Sequence, residues 1–283
     1  MNPLSVRMGL SFVVVLVTLA GCTTIYNPAT ERRETVLDTS VEIAVGNIAR
    51  AQMGLTSLAM GRADPQQVAR VQAIGRQLAS VSDRQDVPYQ FGVIRDKSLN
   101  AFALPGGTLY VHSALVEKAT DTELACVIGH EIGHVAARHA AKHLQADLGV
   151  TVLLEIASAA GGGSGAVQIA NSMVGLLRNG YSRGDELQAD RLGIRYAWRA
   201  GYDPQGMITF FEKMLQETPE DAMDQALVWR RTHPLTSERI RLAKEEIARL
   251  KAETFCPACG RTYGPDVKFC EQDGTLLKKR GGP

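Results

Sequence analysis

The chain has almost no charge imbalance: 31 lysines and arginines face 30 aspartates and glutamates over 283 residues, a net charge of +1. That balance leaves no electrostatic footprint for a nucleic-acid partner. Long apolar runs are also missing. The N-terminal run Met8–Gly21 and the later apolar segments Val150–Ala160 and Ala166–Leu177 all fall short of the roughly 20 residues that a bilayer span requires. No serine or cysteine nucleophile motif appears. Cys126, the one cysteine in the middle of the chain, has no paired base beside it in any motif and reads as a small buried hydrophobe.

The chain does contain the pentad His130-Glu131-Ile132-Gly133-His134. Four residues are a little over one helical turn, so both imidazoles leave one face and can bind the same Zn²⁺. Glu131 lies a further step round, within reach of a water at the metal. The surroundings predict a helix. Thr120 and Glu123 form a capping-box pattern, and Leu124, Ile128, Ile132 and Val135 recur at helical spacing. Thr122–Gln145 contains no proline and reads as one helix, on which His139 and His143 fall on the face away from His130. Gly129 and Gly133 beside the histidines would admit a metal or another chain segment closely.

A catalytic zinc takes three protein ligands and keeps one position open. A third histidine six residues after His134 is excluded, because Ala140 stands there. The best remaining donor is on Asp185–Ala200, a predicted helix with Ser182 as N-cap, Gly201 as stop and Pro204 beyond. Glu186 and Asp190 share a face of it. Glu186 can ligate the metal while Asp190 accepts the N–H of a liganding imidazole.

His130-Glu131-x-x-His134 followed by Glu186-x-x-x-Asp190 resembles the gluzincin metallopeptidases of the HtpX, Oma and CaaX-protease type. Asn100-Ala-Phe-Ala-Leu-Pro-Gly-Gly-Thr-Leu-Tyr-Val111, Ala200-Gly-Tyr-Asp-Pro204 and Thr232-His233-Pro234 extend the likeness over about residues 35 to 250. In layout the chain is most similar to the periplasmic lipoprotein members of the BepA, LoiP and YcaL kind. The resemblance implies an α+β, mainly helical zincin domain with a small sheet beside the zinc helix. It implies a hairpin, Ala101–Leu104 with Thr108–Val111, whose edge (Asn100, Ala101, Phe102 and Ala103) binds an extended substrate by main-chain hydrogen bonds. It also brings His233 near the active site, either on the tetrahedral oxyanion or in the zinc's open position in a latent form. Tyr181 is a weaker oxyanion candidate, and His112 is read as structural.

The N-terminus ends its apolar run in Leu19-Ala20-Gly21-Cys22, which is similar to a bacterial lipobox. That implies removal of residues 1–21, acylation of Cys22 and a membrane anchor. A plain signal-anchor helix is the alternative. Thr23 after the cysteine favours the outer membrane under bacterial sorting rules. Residues 22–35 read as a linker, 36–253 as the peptidase domain and 254–283 as a tail. Within the domain, Val36–Val81 reads as two amphipathic helices broken around Ala63-Asp64-Pro65, Asp147–Gly180 as a helical hairpin and Leu235–Lys251 as a last charged helix.

The tail carries Cys256-Pro-Ala-Cys259-Gly and Cys270-Glu-Gln-Asp273-Gly and resembles short zinc-ribbon tails closed by C-x-x-D-G. A structural Cys₃Asp zinc site (Cys256, Cys259, Cys270, Asp273) and a disulfide with one spare thiol both remain open. A protein partner is the default expectation for this module. The whole chain is therefore expected to be a zinc-dependent metalloendopeptidase acting on misfolded or misassembled envelope proteins, with Glu131 as general base. The alternative is an assembly lipoprotein that binds extended segments and rarely cuts.

Overall fold

Two antiparallel strands, β1 (Cys22–Asn27) and β2 (Arg32–Leu37), occupy the stretch expected to be a linker. The computed structural model describes residues 22–27, 32–55, 57–61, 63–158, 164–216, 229 and 231–279. The apolar N-terminal run lies outside them. Among the described residues no helix is long and apolar enough to cross a membrane.

The domain is α+β. Helix α1 (Thr39–Gln52) leads through the short β3 (Ala59–Met60) to α2 (Pro65–Ala79), whose N-cap Asp64 accepts the amide of Gln66. Strands β4 (Gln90–Ile94), β5 (Ala101–Ala103) and β6 (Thr108–His112) complete a sheet of order β3-β4-β6-β5. β3, β4 and β6 run parallel, whereas β5 folds back antiparallel on β6. The expected hairpin is therefore present, turned by Gly106 and Gly107 at φ of 77° and 96°, where side chains with a Cβ are disfavoured. β5 is the outer strand.

After α3 (Ser113–Lys118), α4 (Asp121–Ala136) carries the pentad through the middle of the molecule. Its Thr120–Glu123 capping box forms as expected, and every residue from Glu123 to Ala136 is buried. A helix buried on all sides belongs to a core. Its apolar faces meet Val71, Ile74, Val93, Leu109, Leu192 and Phe211 in the principal cluster.

The single helix expected over 122–145 is broken. Arg138 adopts φ 60° and ψ 33°, the left-handed region, and is the one non-glycine residue among those described to do so. Helix α5 (His139–Leu148) leaves in a new direction. This turn brings His139 back toward the pentad, correcting its expected position on the far face. His143 stays at the surface, 3.1 Å from Asp147.

Next come α6 (Val150–Ser158) and α7 (Ser164–Asn179), the expected apolar hairpin, although the glycines at its tip, 161–163, lie outside the described residues. Both helices pack in a second cluster with Leu37, Val45, Phe102, Leu104 and Tyr110. Helix α8 (Arg183–Arg199) begins two residues earlier than expected, on a Ser182–Asp185 capping box. α9 (Gly206–Gln216) and α10 (Ser237–Ala252) complete the domain, and β7 (Thr254–Phe255), β8 (Thr262–Tyr263) and β9 (Lys278–Lys279) form a separate small sheet.

One buried carboxylate ties several of these elements together. Glu42 of α1 accepts from Arg84 at 2.9 and 2.7 Å and from Arg138 at 2.6 Å, all three residues being buried. Arg84 also donates to the Val135 carbonyl at the end of α4, and Arg138 to that of Leu37. Glu42 thus holds the left-handed turn closed. Glu42→Ala would leave two buried guanidinium groups with the half-exposed Asp86, at 3.2 and 3.5 Å, as their remaining acidic partner, at a cost of about 3–5 kcal/mol. We expect a fall in melting temperature of roughly 6–20 °C, readable by differential scanning calorimetry.

Candidate metal centre

The site exists because α4 and α8 cross almost in backbone contact. A Cβ on Gly193 would lie 2.6 Å from the His130 amide nitrogen; one on Gly129 or Gly133 would meet the carbonyl oxygens of Gly193 and Ala189 at 2.9 and 2.8 Å. Three glycines therefore set the helix separation, and the segment that the pentad's glycines admit is α8. At this distance Glu186 and Asp190, one turn apart on α8, reach the imidazoles of α4.

Four donor atoms converge. His130 Nε2 and His134 Nε2 are 3.0 Å apart, and Glu186 oxygens lie 3.6 and 3.4 Å from them. His233 Nδ1 is 3.3 Å from His130 Nε2 and 3.0 Å from Glu186 Oε1. Ligands at about 2.0–2.1 Å on a tetrahedral zinc would stand about 3.3–3.4 Å apart. The residues present therefore fit a zinc ion. The hydrogen bonding agrees: His130 Nδ1 faces Asp190 Oδ1 at 2.8 Å and His134 Nδ1 faces His139 Nδ1 at 2.8 Å. With both outer nitrogens occupied as donors, two imidazole lone pairs would point at each other, an arrangement that calls for a cation between them.

The charges around the site are buried and mutually dependent. Arg239 of α10, itself buried, reaches Glu186 at 2.6 Å and Asp190 at 2.7 Å. Burial pushes the Glu186 carboxyl up, but His233, His130 and Arg239 outweigh it and hold it well below the ordinary glutamate value. Burial likewise raises Asp190, while Arg239 and the His130 hydrogen bond bring it below normal. Burial and the neighbouring His130 and His139 keep His134 well below the usual histidine value, despite Glu186. The sequence reading missed Arg239. Its one signal was its place on the first turn of a predicted helix shortly after His233, a turn capped by Thr236.

Glu131 differs from the other acids. Both its carboxylate oxygens are buried without a hydrogen-bond partner among the described residues, and the nearest cation-forming group is His233 Nε2 at 3.6 Å. Burial raises its pKa, opposed by His233 and His130, the direction a general base at neutral pH requires. Tyr181 stacks on His134 at 3.9 Å, its buried hydroxyl also unpartnered among the described residues. Trp229 stacks on His233 at 4.2 Å. Cys126 is buried and its thiol pushed far up by burial, matching a packing role. His112 at the end of β6 bonds Ser98 at 2.7 Å and takes no part in the centre.

Asn100 and β5 line the approach. Asn100, Ala101 and Phe102 share a pocket with Leu176 and Leu177 of α7, Tyr181 and His233. Its free volume, about 10 Å³, accommodates one water at most. Leu176 and Leu177, at the end of α7, thus stand across a nearly filled space from Asn100, Ala101 and Phe102, part of the stretch that the sequence assigned to substrate.

In the tail, Cys256, Cys259, Cys270 and Asp273 bring their donor atoms within 4.8 Å of one another. Cys259 and Cys270 sulfurs are 3.7 Å apart, and Cys256 Sγ is 3.7 and 3.8 Å from the Asp273 oxygens. A tetrahedron of about 2.3 Å zinc–sulfur bonds has edges of about 3.8 Å, whereas a disulfide closes to about 2.05 Å. The two halves are built alike: the amides of Gly260 and Gly274 return to the carbonyls of Cys256 and Cys270, with φ of 73° and 69°.

Two imidazoles and a distant glutamate on crossed helices, with an unpaired glutamate between the histidines, define a metallopeptidase-type centre. The family comparison agrees. Residues 65–247 match Peptidase family M48, and the chain belongs to that family. It is 30% identical over 219 residues to the Beta-barrel assembly-enhancing protease of Escherichia coli, covering 71% of this chain and 44% of that protein. It is 33% identical over 187 residues to the Mitochondrial metalloendopeptidase OMA1 of Schizosaccharomyces pombe, covering 65% and 55%. With Metalloprotease LoiP of Escherichia coli it shares 32% over 166 residues, 57% and 64% of the two chains. The chain thus spans less than half of the first of these relatives.

The glycine contact makes a direct prediction. Gly193→Ala should push α8 from α4, costing about 1–3 kcal/mol in overpacking, and should weaken zinc binding in a chelator competition. A variant with parental zinc affinity would show that the helix separation does not set the site.

Proposed function

We propose that this chain is a zinc metalloendopeptidase that hydrolyses misfolded or misassembled cell-envelope proteins. The observation that carries this reading is the buried set His130, His134 and Glu186 with the unpartnered Glu131 carboxylate beside it. Membership of Peptidase family M48 and similarity to a beta-barrel assembly-enhancing protease support the substrate class. Zinc held by those three ligands would bring the pKa of a water toward about 7 and polarise the scissile carbonyl. Glu131 takes the proton from the attacking water and passes it to the leaving amine. Asp190 holds His130 by its Nδ1–H, and Arg239 keeps both α8 carboxylates ionised in the interior. β5 pairs with an extended substrate through its main chain, which gives broad sequence tolerance.

His233 Nδ1 stands at the fourth corner, the position a catalytic zinc keeps for water. With the nearly filled space between Leu176, Leu177 and Asn100–Phe102, this supports a latent form in which His233 must withdraw before substrate enters. His233 in the donor set also favours a second reading, an assembly lipoprotein that binds extended segments and seldom cuts. Residues 1–21 would be removed and Cys22 lipidated, placing the enzyme at the periplasmic face of a bacterial membrane, with the outer membrane favoured. The tail would hold a second, structural zinc through Cys256, Cys259, Cys270 and Asp273, and provide a surface for a protein partner.

Unfolded casein incubated with the zinc-loaded protein should be cut, and Glu131→Gln should lower the rate about 10²–10⁴-fold while metal content stays the same. Casein bound but uncut by both proteins would favour the assembly reading. His233→Ala should accelerate cleavage; a loss as deep as that of Glu131→Gln would instead place His233 on the oxyanion. Metal analysis should find two zinc ions per chain, falling to one in a Cys259→Ser, Cys270→Ser double variant, whereas an air-stable disulfide with one zinc per chain would refute the tail site.

A further inference from the structure

We infer that His139 and Gln188 form a hydrogen-bond relay that fixes the tautomer and ring orientation of His134 for metal binding. The inference rests on the reading of His134 as a ligand. It starts from the turn after α4, where Arg138 takes the left-handed conformation that a residue with a Cβ disfavours. Glu42, the Leu37 carbonyl and Thr39 hold Arg138 there. What this turn accomplishes is the delivery of the next side chain, His139, to the back of His134. His139 is 3% exposed, its Nδ1 lies 2.8 Å from His134 Nδ1, and its Nε2 lies 3.0 Å from Gln188 Oε1 and 3.3 Å from Asp185 Oδ1.

Proton accounting then runs in one direction. A His134 that offers the Nε2 lone pair to a metal carries its hydrogen on Nδ1. That hydrogen points at His139 Nδ1, which must accept and therefore holds its own hydrogen on Nε2. Gln188 Oε1, on α8, is the acceptor that makes this tautomer of His139 the favoured one, with Asp185 beside it. Reversing any member puts two N–H groups or two lone pairs face to face in a buried space. Ligating histidines are commonly oriented through their second nitrogen, and losing that partner typically costs 10–100-fold in metal affinity. The two imidazoles of this centre are backed differently. His130 leans on the Asp190 carboxylate, itself clamped by Arg239, whereas His134 leans on the His139 imidazole, backed by the Gln188 amide at 3.0 Å and, at 3.3 Å, by the partly exposed Asp185. The relay positions a ligand without adding a further negative charge to an interior that already holds Glu131, Glu186 and Asp190.

The test uses the full chain and Co²⁺ as the probe, read in the visible band of the histidine–carboxylate centre, with the tail's thiolate absorption as an internal reference. Chelator competition with Zn²⁺ supplies the affinity. His139→Leu should weaken the centre about 10–100-fold while the melting temperature of the metal-free protein stays close to the parent's. His139→Asn keeps an acceptor near the Nδ1 position and should restore affinity to within a few-fold. Gln188→Leu, at a partly exposed position, should weaken it several-fold and Gln188→Glu should not, so the relay remains testable should His139→Leu fail to fold. Parental affinity in His139→Leu, or equal losses in the Leu and Asn variants, would overturn the relay. A His134→Ala variant that still filled the centre would overturn the ligand reading instead, separating the two failures.

Discussion

The centre depends on the distance between two helices. Side chains of ordinary size would hold α4 and α8 at about 8–10 Å between axes, with their ridges interposed. Gly129, Gly133 and Gly193 remove those ridges where the helices cross. The crossing is what lets a glutamate, the shortest route from α8, share a cavity with imidazoles from α4. It also carries a cost that packing elsewhere must offset, because glycine within a helix is about 1 kcal/mol less favourable than alanine. The burial of nearly all of α4 and the apolar contacts of Leu192, Ile194 and Ala197 on α8 supply that compensation.

Once the helices are this close, charge becomes the second constraint. Glu131, Glu186 and Asp190 are all buried, and isolated carboxylates cannot stay ionised in such surroundings. Arg239 answers for two of them from α10, with His130 and His233 alongside. Glu131 is left without a partner among the described residues. That asymmetry, one acid without a hydrogen bond while its neighbours are clamped, is what the proposed division between a base and ligands rests on. The far side of α4 repeats the logic for stability, with Glu42 holding Arg84 and Arg138.

The same closeness produces a shut site. Leu176 and Leu177 of α7 leave almost no free space beside Asn100, Ala101 and Phe102, His233 completes the donor set, and Tyr181 and Trp229 stack on the imidazoles. The imidazoles and the two α8 carboxylates are preorganised by their contacts, so access becomes a matter of moving elements rather than of building them. The tail stands apart. Its strands are two residues each and its large apolar residues Phe269 and Leu276 are exposed, so it has little core of its own, and the proposed metal site would take that place.

Much of this was legible in the residues. The pentad, the Glu186–Asp190 face, the Thr120–Glu123 capping box, the Ser182 N-cap and the Pro-Gly-Gly hairpin are local features, governed by helical period, cap chemistry and positive φ, and they appear in the structure as expected. The α+β class came with the family resemblance that those residues carry. Other features were not legible. Proline-free sequence over 122–145 promised one helix, but the break at Arg138 is imposed by Glu42 from far away in the chain, and only that break turns His139 toward His134. Arg239 looked like one more charge on a polar helix until α10 was packed against α8. The strands at 22–37 carry no strong local signal, and their pairing is a long-range matter. The sequence by itself determined which side chains could bind a metal, because ligand spacing on a helix is a local property. Tertiary structure alone decided what stands behind each ligand and what covers the cleft, because those partners come from segments whose meeting depends on how the helices pack.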